Sequence, residues 1–189
     1  LSSVTFHAND RVTVDEPVQG GVLPGSFDPL HKGHEKLAEA AASALEADVT
    51  FEMSALNVDK LPLAPDEVRK RVAQFSGKRA VVLTRTPRFY EKAKLFPGCT
   101  FVIGWDTAVR LVQPRYYDGG DAEMLRALAE MRRLGCRFLV AGRIEGGVFR
   151  TLNDVPVPAG FVEMFTEVPE AGFQCDISAT ELRTASKRF

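Results

Sequence analysis

A chain of 189 residues, 45% hydrophobic and 26% charged, has the length and composition of one globular domain with a proper core. Its formal net charge of −1 excludes a general attraction to nucleic acid or to an anionic membrane, so any anion site must be built locally. Cys99, Cys136 and Cys175 lie far apart with no C-x-x-C pair, which argues against a disulfide scaffold or a thiolate zinc site and fits a reducing compartment, expected to be the cytoplasm. No apolar run approaches the roughly 18 residues of a membrane span.

Residues 1–20 are mixed and polar, with a short β-like patch around Val12 and Val14. They are expected to be a surface arm or the remnant of a longer chain, and residues 21–189 the domain itself. From Gly21 the pattern becomes regular. "GVLPG" is a short apolar strand ending in a turn. "HEKLAEAAASALEA" follows, with Leu37, Ala38, Ala41, Ala42 and Leu45 on one helical face. "DVTFEMS" is a strand, "NVDKLPLAP" a loop, and "PDEVRKRVAQF" a helix opened by Pro65 and two acids, as the helix dipole prefers. Its Arg69-Lys70-Arg71 run, beside Asp66 and Glu67, reads as a solvated face.

"RAVVLT" is the next strand, then "PRFYEKAKLF" a helix with Pro87 in its first turn. "CTFVIG" is a strand and "DTAVRLV" a short helix stopped by Pro114. "DAEMLRALAEMRRLG" runs from an Asp121 cap to a Gly135 stop. "CRFLVAGR" and "GFVEMFTEV" are strands, and "ISATELRTASKR" is a last helix. Short apolar strands alternating with amphipathic helices predict an α/β fold: a Rossmann-like three-layer sandwich around a central parallel sheet of about five or six strands. Ligands of such sheets bind beyond the carboxyl ends of the strands.

Two helix starts carry the chemistry. In "GSFDPLHKGH", residues 25–34, Gly25 permits a tight turn and close approach of a ligand, and Gly33 leaves the first helical turn unblocked. Free N–H groups at a helix start attract anions. His31 and His34 are poorly placed there if the site is empty, and become donors if a polyphosphate binds. Read alone, they are first a turn residue and a helix cap. The second start is "DISATELR", where Ser178 and Glu181 form a capping box stapled by Ile177 and Leu182. The N–H groups of Ala179 and Thr180 remain free. Arg183 lies one turn on from Ala179, so these groups with the Thr180 hydroxyl can make a phosphate clamp, although the stretch read alone is first a well-capped terminal helix with a solvated arginine.

Together the two stretches resemble the signatures of the nucleotidyltransferase superfamily with an H-x-G-H motif. "GSFDPLHKGH" matches its G-x-F-x-P-x-H-x-G-H pattern in full, and "ISATELR" matches I-S-S-T-x-x-R with Ala179 in place of the second serine. "FVIGWDTAVRLV" is similar to the G-x-D segment of nicotinate and nicotinamide mononucleotide adenylyltransferases, with Gly104 and Asp106 at the matching positions and Trp105 where the residue is usually small. "NVDKLPLAPDEVRKRV" resembles the loop and helix after the second strand of superfamily adenylyltransferases, including phosphopantetheine adenylyltransferase.

The resemblance implies transfer of an adenylyl group from ATP, with Mg²⁺, to the phosphate of a small mononucleotide, nicotinate or nicotinamide mononucleotide first, with release of pyrophosphate. It implies His34 and His31 as phosphate donors, Arg183 with Ser178 and Thr180 on the β- and γ-phosphates, and Lys60 neutralising phosphate charge. Gly25, Ser26 and Phe27 would line the nucleotide through their backbone, Gly33 the helix start, and Gly104 and Asp106 a ribose or the acceptor. Trp105, Tyr116 and Tyr117 are candidates to stack on the base. No nucleic-acid or membrane partner is expected; a homo-oligomer or a fused domain stays open. The alternatives are phosphopantetheine adenylyltransferase or cytidylyltransferase activity, and a catalytically silent nucleotide-binding module.

Overall fold

The computed structural model describes residues 3–56 and 61–169. Its elements follow the chain as β1 (Ser3–Phe6), β2 (Val12–Val14), β3 (Gly21–Pro24), α1 (Lys32–Leu45), β4 (Val49–Ser54), α2 (Pro65–Ala73), β5 (Val81–Thr84), α3 (Phe89–Leu95), β6 (Thr100–Gly104), α4 (Trp105–Leu111) and α5 (Gly120–Arg133). Then come β7 (Arg137–Ala141), a hairpin of β8 (Arg143–Glu145) and β9 (Val148–Arg150), and β10 (Phe165–Glu167). The main sheet has the order β10-β7-β6-β3-β4-β5-β1-β2. Strands β3 to β7 and β10 pair in parallel, as the alternating pattern predicts.

Successive strand residues feed two separate cores, which makes the three layers. Phe101, Ile103, Phe138 and Val140 pack with Leu128 and Met131 of α5 on one face. Val102, Leu139, Phe51 and Met53 pack with Ala38 and Ala41 of α1 on the other. A central strand of such a sheet is therefore buried on both sides. Among the described residues no helix is long and apolar enough to cross a membrane.

Residues 3–14 differ from the free surface arm expected. β1 pairs antiparallel with β5, and β2 with β1, so this segment extends the sheet. Ser3 and Thr5 are buried, and a four-residue strand with polar buried positions offers no hydrophobic alternation to read. "GFVEMFTEV" also differs: residues Ala159–Met164 form a 3₁₀ helix and only Phe165–Glu167 a strand. The buried Phe161 and Met164 are three apart, the repeat of a 3₁₀ turn. α5 is capped at Gly119, whose N–H donates to the Glu123 carboxylate, and Asp121 lies inside its first turn. α3 starts at Phe89, so Pro87 precedes it; the Arg88 N–H donates to Glu91 at 3.1 Å.

Candidate active site

β3 lies between β6 and β4, and the chain crosses from one side of it to the other between β5 and β6. Connections leaving the strand ends in opposite directions open a crevice there. A cavity of about 480 Å³ occupies it. Gly25 and Ser26 after β3, Ser54 at the end of β4 and Gly104 at the end of β6 line its rim, with His34 from α1, Arg71 from α2, Lys92 from α3 and Thr107 from α4.

The two histidines cap their own helix. Nδ1 of His31 accepts from the Gly33 N–H at 3.2 Å, and Nδ1 of His34 accepts from the His31 N–H at 3.3 Å. The cap reading of the two residues is borne out. With Nδ1 accepting, each neutral ring carries its proton on Nε2 and can donate outward. The rings stack 3.6 Å apart, and Phe27 meets His34 edge-on at 5.0 Å.

Burial lowers the His31 pKa, and burial followed by the charge of His31 brings His34 down to about 4. Unfolded histidine titrates near 6.5, so between these values the unfolded chain holds a proton that the native chain lacks. His34 therefore removes stability as pH falls from about 6.5 towards 4, by about 3 kcal/mol in all, and the loss is complete below the folded value. A bound polyphosphate reverses the electrostatics. The His34 ring resonance is expected to titrate with a midpoint near 4 in the free protein, and to move upward with inorganic tripolyphosphate. An unmoved midpoint would separate this ring from the anion.

The loop before the helix is held from outside. Phe27 takes φ 45°, a left-handed value that non-glycine residues seldom adopt, and its ring is locked against Phe51 and Phe75 at 5.3 and 5.2 Å. A Cβ on Gly25 would come within 2.7 Å of that ring, which is why glycine stands there. Arg71 donates to the Ser26 carbonyl at 2.9 Å and to Glu67 at 2.7 Å, and pairs with Asp28 at 3.2 Å. The Gln74 amide donates to the Phe27 carbonyl at 2.9 Å and accepts from the Leu30 N–H at 2.8 Å. Arg69 and Lys70 are exposed as expected, whereas Arg71 turns inward. Arg71→Ala is expected to lower turnover by about tenfold or more through misplacement of the loop, since a displacement of about 1 Å can cost about a hundredfold. Steady-state kinetics with circular dichroism of the same samples checks this.

Beneath the loop lies a second polar group that the sequence reading did not single out. Glu52 and Lys92 are 0% and 4% exposed, and the Lys92 ammonium donates to both carboxylate oxygens at 2.7 Å. The Thr84 hydroxyl donates to Glu52 Oε1 at 2.6 Å, and the Thr86 hydroxyl to that of Thr84 at 3.1 Å. Both members of the pair line the cavity. The signal was present: a lone Glu in the middle of a strand buried on both faces demands a cation.

Gly25, Ser26, His34 and Gly104 share the cavity, with His31 stacked on His34. The Phe27 ring is core. Asp106 pairs with Arg143 at 3.4 Å, and a Cβ on Gly104 would meet its Oδ1 at 3.0 Å. Trp105 packs on the α5 side of the sheet, Tyr117 donates to the Leu111 carbonyl at 2.8 Å, and Tyr116 lies exposed under Arg115. None of these three lines the cavity; its aromatic wall is Phe89, packed on Phe101 and Phe138. Lys60, Ser178, Thr180 and Arg183 lie outside the described residues.

A parallel sheet, a cavity at its switch point and proton-bearing imidazoles at a helix start define an α/β nucleotide-handling domain. Residues 22–185 match the cytidylyltransferase-like family, and the chain belongs to it. It is 31% identical over 176 residues to a probable nicotinate-nucleotide adenylyltransferase from each of two strains of Thermus thermophilus, covering 88% of this chain and 86% of the relative. The chain is a nucleotidyltransferase of Rossmann-like fold.

Proposed function

We propose that the protein transfers the adenylyl group of ATP to the phosphate of a pyridine mononucleotide, nicotinate or nicotinamide mononucleotide, releasing pyrophosphate. The observation that carries this reading is His34, its proton on Nε2, lining the cavity at the H-x-G-H helix start; the name of the Thermus relatives, probable nicotinate-nucleotide adenylyltransferase, is in keeping with the nicotinate form of it. An acceptor phosphate oxygen attacks the α-phosphorus of ATP in line, the new O–P bond forms as the bond to the β-phosphate oxygen breaks, and the pair of electrons leaves with pyrophosphate. Positioning and charge stabilisation lower the barrier without a covalent enzyme intermediate.

His34 donates to the reacting phosphoryl group and His31 to its neighbour. Arg183, Ser178 and Thr180 hold the β- and γ-phosphates, and Lys60 offsets their charge. Gly25, Ser26 and Phe27 border the nucleotide with their backbone, next to the Gly33 helix start, and Gly104 and Asp106 border the ribose or acceptor. Mg²⁺ would supply further charge neutralisation. Among the described residues no group of three or more His, Cys, Asp or Glu is placed to hold a metal. We assign the ion to the triphosphate and its own waters. The cytoplasm is the proposed setting, in keeping with the buried free thiols Cys99 and Cys136.

The test is pyrophosphate release from ATP or CTP with each candidate acceptor: the two pyridine mononucleotides, phosphopantetheine and a phosphoalcohol. Release from ATP with a pyridine mononucleotide is the expected result. Release only with another pair of substrates, or ATP binding without release, would replace this reading by one of the alternatives.

A further inference from the structure

β2 ends the main sheet, so its outer side is an edge. The alternation of an antiparallel ladder fixes what that edge offers. The His7 N–H donates to the Arg11 carbonyl at 2.9 Å and the Asp15 N–H to that of Ser3 at 3.0 Å, so the odd-numbered residues of β2 turn their backbone groups towards β1. Val12 and Val14 turn theirs outward, and both residues are 54% exposed. Of the devices that blunt such edges only short length is present, since no lysine, proline or bulge interrupts Val12–Val14.

The stretch "RVTVD", residues 11–15, is its own complement. An antiparallel copy turned about a two-fold axis at Thr13 sets Val12 against Val14, Thr13 against Thr13 and Arg11 against Asp15. Opposite charges then meet at both ends, and Val12 and Val14 exchange both of their N–H···O bonds in each symmetric pair. In a register shifted by two, Arg11 meets Thr13 and the charge match is lost. Phe6, Val12, Val72 and Phe75 also line a second cavity, of about 260 Å³, between this hairpin and α2. The partner's Val14 would stand beside Val12 on that face of the sheet and extend its apolar wall.

We propose that β2 pairs with β2 of a second copy of this chain, joining two eight-stranded sheets into one across a two-fold axis at Thr13. The contact is self-complementary, as a closed two-fold interface requires. Three residues on each edge make it a weak one, with a dissociation constant on the order of 10 µM.

Sedimentation equilibrium of the whole chain, from about 1 to 200 µM, is expected to show monomer passing to dimer. Val14→Pro removes an outward N–H while sparing the bonds to β1, and Val12→Lys places an ammonium group in each apolar pair. Each is expected to raise the dissociation constant by about tenfold or more, with an unchanged circular dichroism spectrum. Thr13→Cys in a Cys175→Ser background reads the register. Residues 13 of the two copies form a non-hydrogen-bonded pair with Cα atoms about 4.5 Å apart, within disulfide reach, so oxidation of the two thiols by diamide is expected to give a covalent dimer. A wild type that stays monomeric across the range, a dimer whose dissociation constant neither edge variant moves, or a Thr13→Cys protein that diamide does not link overturns the proposal.

Discussion

Replacing His34 with alanine is expected to lower turnover by about 10²-fold or more while the protein stays folded. One preorganised donor aimed at developing charge is worth about 10²–10³ in rate. His34 supplies such a donor because Nδ1 is already occupied by the His31 N–H at 3.3 Å, which leaves the proton on Nε2. Its ring cannot swing freely, since His31 stacks on one side and Phe27 meets it edge-on. The substitution also removes a helix cap, at a cost of about 1 kcal/mol. Measuring kcat at saturating substrates beside urea unfolding separates the two effects. A variant with near-normal turnover would remove His34 from the chemistry.

The second large effect is on stability. Lys92→Met is expected to cost about 3–5 kcal/mol, because it leaves the Glu52 carboxylate buried without a counter-charge. Glu52 would keep only the Thr84 hydroxyl among its present side-chain partners. Adding Glu52→Gln to the same protein is expected to restore most of the loss, since neither charge is then stranded. Equilibrium urea unfolding of the single and double variants measures both numbers. A loss below about 1 kcal/mol for Lys92→Met would mean that water reaches the pair and carries part of its charge.

These two groups also mark how far the amino-acid sequence could be read. His31 and His34 stood out because they share one short motif at a strand–helix junction. A local motif states its own geometry: β3 ends at Pro24 and α1 begins at Lys32, where the apolar runs place them. The parallel strands β3 to β7 were legible for the same reason, each being a short apolar run beside an amphipathic helix, whereas β10 is only a three-residue part of the run read as a strand. Glu52 and Lys92 are 40 residues apart and sit among ordinary neighbours, so only the sheet topology brings them together. Arg71 reads as one cation of a surface run until Asp28 and the Ser26 carbonyl come within reach. β1 and the 3₁₀ helix over Ala159–Met164 were missed because four or six residues carry too little periodicity to set against tertiary pairing.

Co-crystallisation with a non-hydrolysable ATP analogue and Mg²⁺ puts the proposed chemistry to its most direct test. The triphosphate is expected in the cavity beyond β3, with the α-phosphate within hydrogen-bond distance of His34 Nε2, His31 Nε2 on a neighbouring phosphate oxygen, and Arg183 closing from the opposite side. A triphosphate bound elsewhere, or one that meets Arg183 but neither histidine, would contradict it.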